Sequence, residues 1–99
     1  MGLHDKKICF VGAGNMANAI IGGLVQKGFT ASNITASAPS KEHIEQIKER
    51  WGVSTSSDNA ASVKQAEVVV LSVKPQVLKQ VCEELAASLT HRPLIISIA

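Results

Sequence analysis

A short apolar run that breaks at once into two spaced glycines constrains the fold of this chain more than any other feature. The run Ile8–Val11 leads directly into the sequence GAGNMA at residues 12–17. In a strand that turns sharply into a helix, Gly12 makes the tight turn, and Gly14, which lacks a Cβ atom, lets a diphosphate approach the backbone. Ala17 is small enough for the helix to pack closely on the strand. The pattern predicts a dinucleotide-binding turn whose phosphates lie at the N-terminus of a helix.

Beyond this turn the chain alternates between the periodicities of strands and helices. Strands are predicted at residues 7–11, 34–37, 53–55, 67–73 and 94–98. Helices are predicted at residues 15–27, after Ser40 as far as Trp51, after Ser57 or Asp58 as far as Gln65, and from Pro75 to Leu89. Strands that alternate with helices imply right-handed crossovers and a parallel sheet. We therefore predict a doubly wound α/β domain, Rossmann-like, with five strands in the order 3-2-1-4-5.

The composition limits the classes of function. The 99 residues are enough for one domain at most. A net charge of +2, without clustered lysine and arginine, argues against a nucleic-acid partner. No apolar segment approaches the length of a membrane span, so no membrane partner is expected. A small-molecule substrate is expected instead.

The two cysteines are predicted to be small buried hydrophobic residues. Cys9 lies in the first strand, and Cys82 belongs to an apolar stripe of the last helix that we expect to be buried. The members of that stripe are Val77, Leu78, Val81, Cys82, Leu85 and Leu89. The cysteines have no disulfide framework and no metal-binding spacing, which suits a reducing cytosol and predicts a cytoplasmic protein.

The histidines do not point to a catalytic centre. His4 lies in the N-terminal tail, His43 on a polar helix face and His91 in a loop. None of them has a partner spaced for a metal ion or for a nucleophilic triad. The sequence therefore predicts no metal ligand and no catalytic residue within this chain.

The fold selects the candidate site, because ligands of open parallel sheets lie at the carboxyl ends of the strands. The segments that follow the five predicted strands are residues 12–16, 37–41, 56–59, 72–75 and 97–99. All of them should line one edge of the sheet.

The segment after the second strand bears on the choice of cofactor. Residues 35–41 contain no carboxylate, whereas NAD-binding domains place one there to bind the ribose hydroxyls. The hydroxyls of Ser37 and Ser40 and the charge of Lys41 would suit a 2′-phosphate instead. We expect NADP(H) to be preferred and NAD(H) to be possible. The alternative is that Ser40 only caps a helix and Lys41 is a solvated surface charge.

Four other residues of this edge are candidates with structural alternatives. Asn15 would bond either the cofactor or the turn, and Met16 would either cover the nicotinamide side or join the core. Asn59 would contact the adenosine ribose or cap a helix. Lys74 must emerge at the site edge, because it lies between a buried strand and Pro75, which suits a first helical turn. Its alternative is a solvated loop lysine.

Three stretches of this chain together resemble the N-terminal half of pyrroline-5-carboxylate reductases. They are FVGAGNMANAIIGGL at residues 10–24, SVKPQ at residues 72–76 and IISIA at residues 95–99. The resemblance runs from about Lys6 to Ala99, and it implies NAD(P)H-dependent reduction of 1-pyrroline-5-carboxylate to L-proline. Pro39 stands where some members carry an arginine, so contacts to a phosphate there are open.

The resemblance also implies roles for individual residues. The glycine loop, including Ala13, would hold the diphosphate. Ser37 and Asn59 match positions that contact the adenosine ribose or its phosphate. The nicotinamide end would lie beside Val73, Lys74, Pro75 and Ala99.

The resemblance further implies a domain organisation. Residues 1–5 would be a disordered or extended tail, and residues 6–99 the dinucleotide-binding domain. A C-terminal helical domain, which in this family contacts the substrate and makes a homo-oligomer, is absent from this chain. We therefore expect the isolated chain to be inactive.

Two other functions remain compatible with the residues. One is a hydroxyisobutyrate-type NAD(P) dehydrogenase, which would need a catalytic lysine outside this chain. The other is a module that senses NAD(P) without turnover. Deazaflavin-dependent NADP reductases share the glycine loop but less often the other two stretches. Fold alone does not distinguish these functions.

Overall fold

The computed structural model describes residues 5–12, 14–38 and 41–98. Five strands form one sheet: β1 (Ile8–Val11), β2 (Ile34–Ser37), β3 (Ser54–Ser56), β4 (Val68–Leu71) and β5 (Leu94–Ser97). Four α-helices connect them: α1 (Asn15–Gln26), α2 (Lys41–Trp51), α3 (Asn59–Val63) and α4 (Pro75–Leu85). Short 3₁₀ turns precede β2 and follow α4.

All strand pairs are parallel, and the strands lie in the order β3-β2-β1-β4-β5. The predicted fold class and strand order are confirmed. The strand from residue 67 to residue 73 was predicted too long, because only Val68–Leu71 pairs within the sheet. Ser72 already turns toward the loop that follows β1, to which its side chain donates.

Two hydrophobic clusters cover the two faces of the sheet. On one face, Phe10 and Ile34 pack against Ile21 of α1 and Ile47 of α2. Side chains of the opposite face, such as Val69, pack against α3 and α4. Because the side chains of a strand alternate between faces, these apolar strands are covered on both sides.

A tryptophan joins α1 to α2. The Trp51 ring lies across Gly22, where an added Cβ atom would be 2.4 Å from the ring. Its Nε1–H donates to Oδ1 of Asn18, 2.7 Å away, and the Arg50 guanidinium lies 5.0 Å from the ring centroid. The small residue at position 22 therefore lets the two helices approach closely.

The prediction for α4 was wrong at two positions. Leu85 is buried and Leu78 and Val81 are half-buried, but Val77 and Cys82 are exposed. Among the described residues, Leu78, Val81 and Leu85 of α4 pack against the cluster of Val69, whereas Val77 and Cys82 lie to the side of this contact. Cys9, by contrast, is buried as predicted.

The β5 strand forms an edge of the sheet and is exposed along its length. The exposed fractions of Leu94, Ile95 and Ile96 are 62%, 45% and 42%. Among the described helices, none is both long and apolar enough to cross a lipid bilayer.

Candidate nucleotide-binding site

The segments that follow the strands come together at the carboxyl edge of the sheet, as the parallel arrangement requires. Backbone hydrogen bonds join them from strand to strand. They run from Gly12 N to Ser37 O (2.7 Å), from Ala38 N to Ser56 O (3.1 Å), from Ser72 N to Val11 O (2.9 Å) and from Ile98 N to Leu71 O (3.0 Å). This edge is therefore a connected backbone framework rather than a set of independent loops.

The two glycines of the turn have different environments. Gly12 has a φ of +106°, a conformation that favours glycine, and a Cβ atom there would lie 2.5 Å from the carbonyl oxygen of Ser72. A Cβ atom on Gly14 would meet no atom of the described structure within 4 Å. Gly12 is thus required by packing, and the space above Gly14 is open to a ligand.

The N-terminus of α1 fits an anionic ligand. Gly14 occupies the N-cap position, none of the described side chains caps the helix, and its first turn carries no acidic residue. Asn15 and Met16 are exposed, Met16 to 59%, so Met16 is not a core residue. Free N–H groups and the positive end of the helix dipole are the features that bind phosphates at helix N-termini. Ala13 lies outside the described residues.

Asn59 is held by a buried serine at the end of β2. The hydroxyl of Ser37, which is fully buried, donates to Oδ1 of Asn59 at 2.5 Å. The alternative role of Asn59 as a helix cap is filled by Asp58, whose Oδ1 accepts from the backbone N–H of Ala61 at 3.1 Å. With its oxygen bonded to Ser37, Asn59 has its amide N–H groups for another partner. Ligand contacts of both residues stay predictions.

The other residues predicted to meet a 2′-phosphate, Ser40 and Lys41, follow β2 in the chain. Lys41 is the first residue of α2, and Ala38 is bonded to the end of β3. Ser40 and Pro39 lie outside the described residues, so capping of α2 by Ser40 stays a prediction.

The loop after β4 leads directly into α4. Lys74 is exposed at the N-cap position and Pro75 is the first helical residue, as predicted. The side chain of Val73 packs against the hydrophobic cluster that contains Cys9 and Val69. Val73 would therefore reach a ligand only through its backbone. Ala99, the last residue predicted at this edge, lies outside the described residues.

The sequence placed Ser72 at this edge, within residues 72–75, but did not predict the contacts of its hydroxyl. The hydroxyl of Ser72 lies 3.1 Å from the carbonyl oxygen of Val11 and 3.1 Å from that of Gly12. The sequence signal was a serine at the end of an apolar strand. That strand is predicted to lie beside the strand that leads into the glycine turn. Such a signal is weak, since serine is common where strands end.

The titratable groups with shifted pKa values lie away from this edge. Burial raises the pKa of the Cys9 thiol to about 12. The backbone N–H of Lys7, together with the ammonium of Lys6, holds the pKa of Glu67 below its usual range. Within residues 5–12, 14–38 and 41–98, no three metal-ligating side chains cluster together. His91 instead contacts the carbonyl oxygen of Ala66 at 2.9 Å.

A cleft of about 520 Å³ is lined by the start of β1, by Asn33 just before β2, by β3 and by residues of α3. Polar side chains such as Asn33, Thr55 and Gln65 line it. The described residues of the glycine turn and of the α1 N-terminus lie at the carboxyl edge and are not part of this cleft. A domain of this class is expected to bind its ligand at that edge.

Comparison with known proteins supports the resemblance seen in the sequence. The chain is 48% identical over 97 residues to a pyrroline-5-carboxylate reductase of Vibrio alginolyticus, and 47% identical over 97 residues to one of Pseudomonas aeruginosa. Each match covers 98% of this chain and 36% of the relative. A solved pyrroline-5-carboxylate reductase from Coxiella burnetii superposes with a TM-score of 0.91 at 41% identity, covering 95% of this chain and 35% of that one.

This chain thus spans about a third of the length of the curated relatives it matches. The resemblance to the N-terminal part of pyrroline-5-carboxylate reductases is confirmed over nearly all of the chain. Residues 7–99 also match a family described as NADP oxidoreductase coenzyme F420-dependent. The chain belongs to this family of NADP oxidoreductases.

Proposed function

We propose that this chain binds NADP(H) at the carboxyl edge of its sheet and is the cofactor-binding part of a pyrroline-5-carboxylate reductase. The whole protein would reduce 1-pyrroline-5-carboxylate to L-proline. Relatives at 41–48% identity carry that name, rather than one that mentions a deazaflavin coenzyme. The observation that carries the proposal is the open turn at Gly14, set against a helix N-terminus without a side-chain cap.

The diphosphate of the cofactor would lie over Gly14. A phosphate needs close access to the backbone, and the position where a Cβ atom would stand is open there. The first turn of α1 has no carboxylate to repel it. Its dipole and amide groups favour an anion. When bound, the reduced nicotinamide supplies the hydride for an imine carbon, and the chain's part is to bind and orient it.

The adenosine end would lie between β2 and α3. Asn59, fixed by Ser37, offers amide donors to the ribose or to its 2′-phosphate. Lys41 begins the helix that follows β2, and residues 35–41 contain no carboxylate. A carboxylate at that place would repel a 2′-phosphate, whereas a lysine attracts one. We therefore propose that NADP(H) is preferred over NAD(H).

We further propose that the whole protein is a cytoplasmic homo-oligomer. The buried, protonated Cys9 and the free, exposed Cys82 suit a reducing compartment. The substrate would be bound by the part of the protein outside this chain.

The proposal is tested by titrating this chain with NADPH and with NADH in a calorimeter. We expect NADPH to bind at least tenfold more tightly, about 1.4 kcal/mol. Equal affinities would remove the 2′-phosphate assignment. A failure to bind either nucleotide would overturn the nucleotide site altogether.

The enzymatic part is tested separately by following NADPH oxidation with 1-pyrroline-5-carboxylate. The full-length protein should turn over, and the 99-residue chain should not. Without a second surface to hold the substrate, the advantage of a near-attack geometry is lost, on the order of 7 kcal/mol or more. Turnover by the chain within tenfold of the full-length protein would contradict a substrate site outside it.

A further inference from the structure

The hydroxyl of Ser72 contacts two carbonyl oxygens of the neighbouring turn. It lies 3.1 Å from the oxygen of Val11 and 3.1 Å from that of Gly12. A serine hydroxyl has one proton to donate, so the two acceptors compete for it. Val11 O already accepts the backbone N–H of Ser72 at 2.9 Å. Among the described residues, the Ser72 hydroxyl is the donor that contacts Gly12 O. Because Val11 O already has a backbone donor, the hydroxyl proton stabilises the turn more when it is bonded to Gly12 O.

The direction of the Gly12 carbonyl affects how strongly the turn binds an anion. At a phosphate site, backbone N–H groups attract the anion and a carbonyl oxygen directed at it repels it. Gly12 has a positive φ and no side chain, so its peptide groups are not held by a Cβ atom. A donor on the β4 side keeps the carbonyl oxygen directed at Ser72.

We propose that Ser72 is a positioning residue for the diphosphate turn. Its hydroxyl holds the Gly12 carbonyl oxygen toward β4 and away from the ligand, so that this oxygen does not repel the phosphates. The same residue begins the loop that carries Lys74 and Pro75, so it joins the two loops expected at the diphosphate and the nicotinamide. This inference rests on the proposed function, because it requires a dinucleotide at this edge.

The experiment compares two ligands against Ser72 variants of the 99-residue chain. NADPH carries the diphosphate, whereas adenosine 2′-phosphate lacks it but keeps the adenosine end. We expect Ser72→Ala to bind NADPH about tenfold more weakly, the effect of losing one well-placed hydrogen bond. Its affinity for adenosine 2′-phosphate should stay within twofold of wild type. Ser72→Thr, which keeps the hydroxyl, should restore NADPH binding.

Ser62→Ala is the matched control, since the Ser62 hydroxyl also donates to a backbone carbonyl, that of Asp58, outside the glycine turn. It should leave NADPH binding unchanged. Unfolding midpoints are measured for every variant. The inference is overturned if Ser72→Ala binds NADPH as wild type does. It is also overturned if both ligands weaken together with a lowered midpoint, the mark of a purely structural role. A wild-type chain that binds no NADPH would overturn the proposed function and this inference together.

Discussion

The backbones of Gly12 and Ser72 lie so close together at the carboxyl edge of the sheet that no side chain fits at position 12. A Cβ atom added to Gly12 would lie 2.5 Å from the carbonyl oxygen of Ser72 and 2.9 Å from its carbonyl carbon. The neighbouring Gly14 has no such contact in the described structure. The two glycines of the motif therefore have different roles. Gly12 lets the turn after β1 pack closely on the end of β4, and Gly14 leaves room for a ligand.

The contact predicts that Gly12→Ala destabilises the chain. The new Cβ atom would meet backbone that cannot move aside cheaply, and alanine is strained at a φ of +106°. We expect a loss of at least about 2 kcal/mol in the free energy of unfolding. Urea denaturation followed by circular dichroism measures it. A loss under about 0.5 kcal/mol would show that the contact can relax.

By contrast, Gly14→Val should affect ligand binding more than the free energy of unfolding. The open space at Gly14 accepts the side chain, and its φ of −80° is ordinary for any residue. Loss of a favourable N-cap residue costs about 1 kcal/mol. NADPH binding should be abolished, because the side chain fills the place of the diphosphate. Circular dichroism and calorimetry on the same sample decide it, and a folded variant that binds NADPH normally would contradict the proposed position of the diphosphate.

Two adjacent glycines of α1 provide a matched pair for packing. At Gly22 an added Cβ atom would be 2.4 Å from the Trp51 ring, whereas at Gly23 it meets nothing within 4 Å in the described structure. Gly22→Ala should lower the free energy of unfolding by about 1–3 kcal/mol through overpacking. Gly23→Ala should raise it by up to about 1 kcal/mol, because alanine favours a helix interior. Equal effects in urea denaturation would mean that the ring moves freely.

Lys41→Glu should weaken NADPH selectively. Reversing this charge at the start of α2 replaces attraction to a 2′-phosphate by repulsion, which we expect to cost about 1–2 kcal/mol of binding free energy. NADH, which has no 2′-phosphate, should bind as before. Lys48→Glu makes the same change of charge in the last turn of α2 and should leave the NADPH affinity unaltered. A parallel loss for both nucleotides would argue against the phosphate contact.

The two cysteines should differ in reactivity. The thiolate is the nucleophile, and burial raises the Cys9 pKa from its ordinary 9.0 to about 12, so Cys9 stays protonated near neutral pH. Cys82 is exposed. At pH 8 a maleimide should modify one thiol of the native chain and two of the unfolded chain, as mass spectrometry would show. A native Cys82→Ser variant that still reacts rapidly would contradict the burial of Cys9.

The same shift predicts a loss of stability in alkali. The folded pKa of Cys9 lies above the unfolded one, so its contribution is fully present below about pH 9 and is lost as the pH rises toward 12. Cys9→Ala should remove this part of the pH dependence.

The local pattern of the sequence was enough to predict the architecture. Apolar runs and helical spacing depend on neighbours along the chain, and the strand order follows from the handedness of the crossovers. The glycine turn, the first residue of α4 at Pro75 and the burial of Cys9 also follow from residues close in sequence.

Tertiary contacts decided what the local pattern left open. Ser57, Asp58 and Asn59 are all good capping residues, and only the folded chain shows that Asp58 caps α3 while Asn59 bonds Ser37, 22 residues away. The exposure of Cys82 depends on which line of α4 meets the sheet.

The hydrogen bond from the Ser72 hydroxyl to Gly12 O joins residues 60 positions apart. Hydrophobic periodicity reports which face of an element is buried, because burial repeats along the element. The partner of a single polar group depends on the position of another segment to within a few tenths of an ångström, and only the folded chain sets that distance.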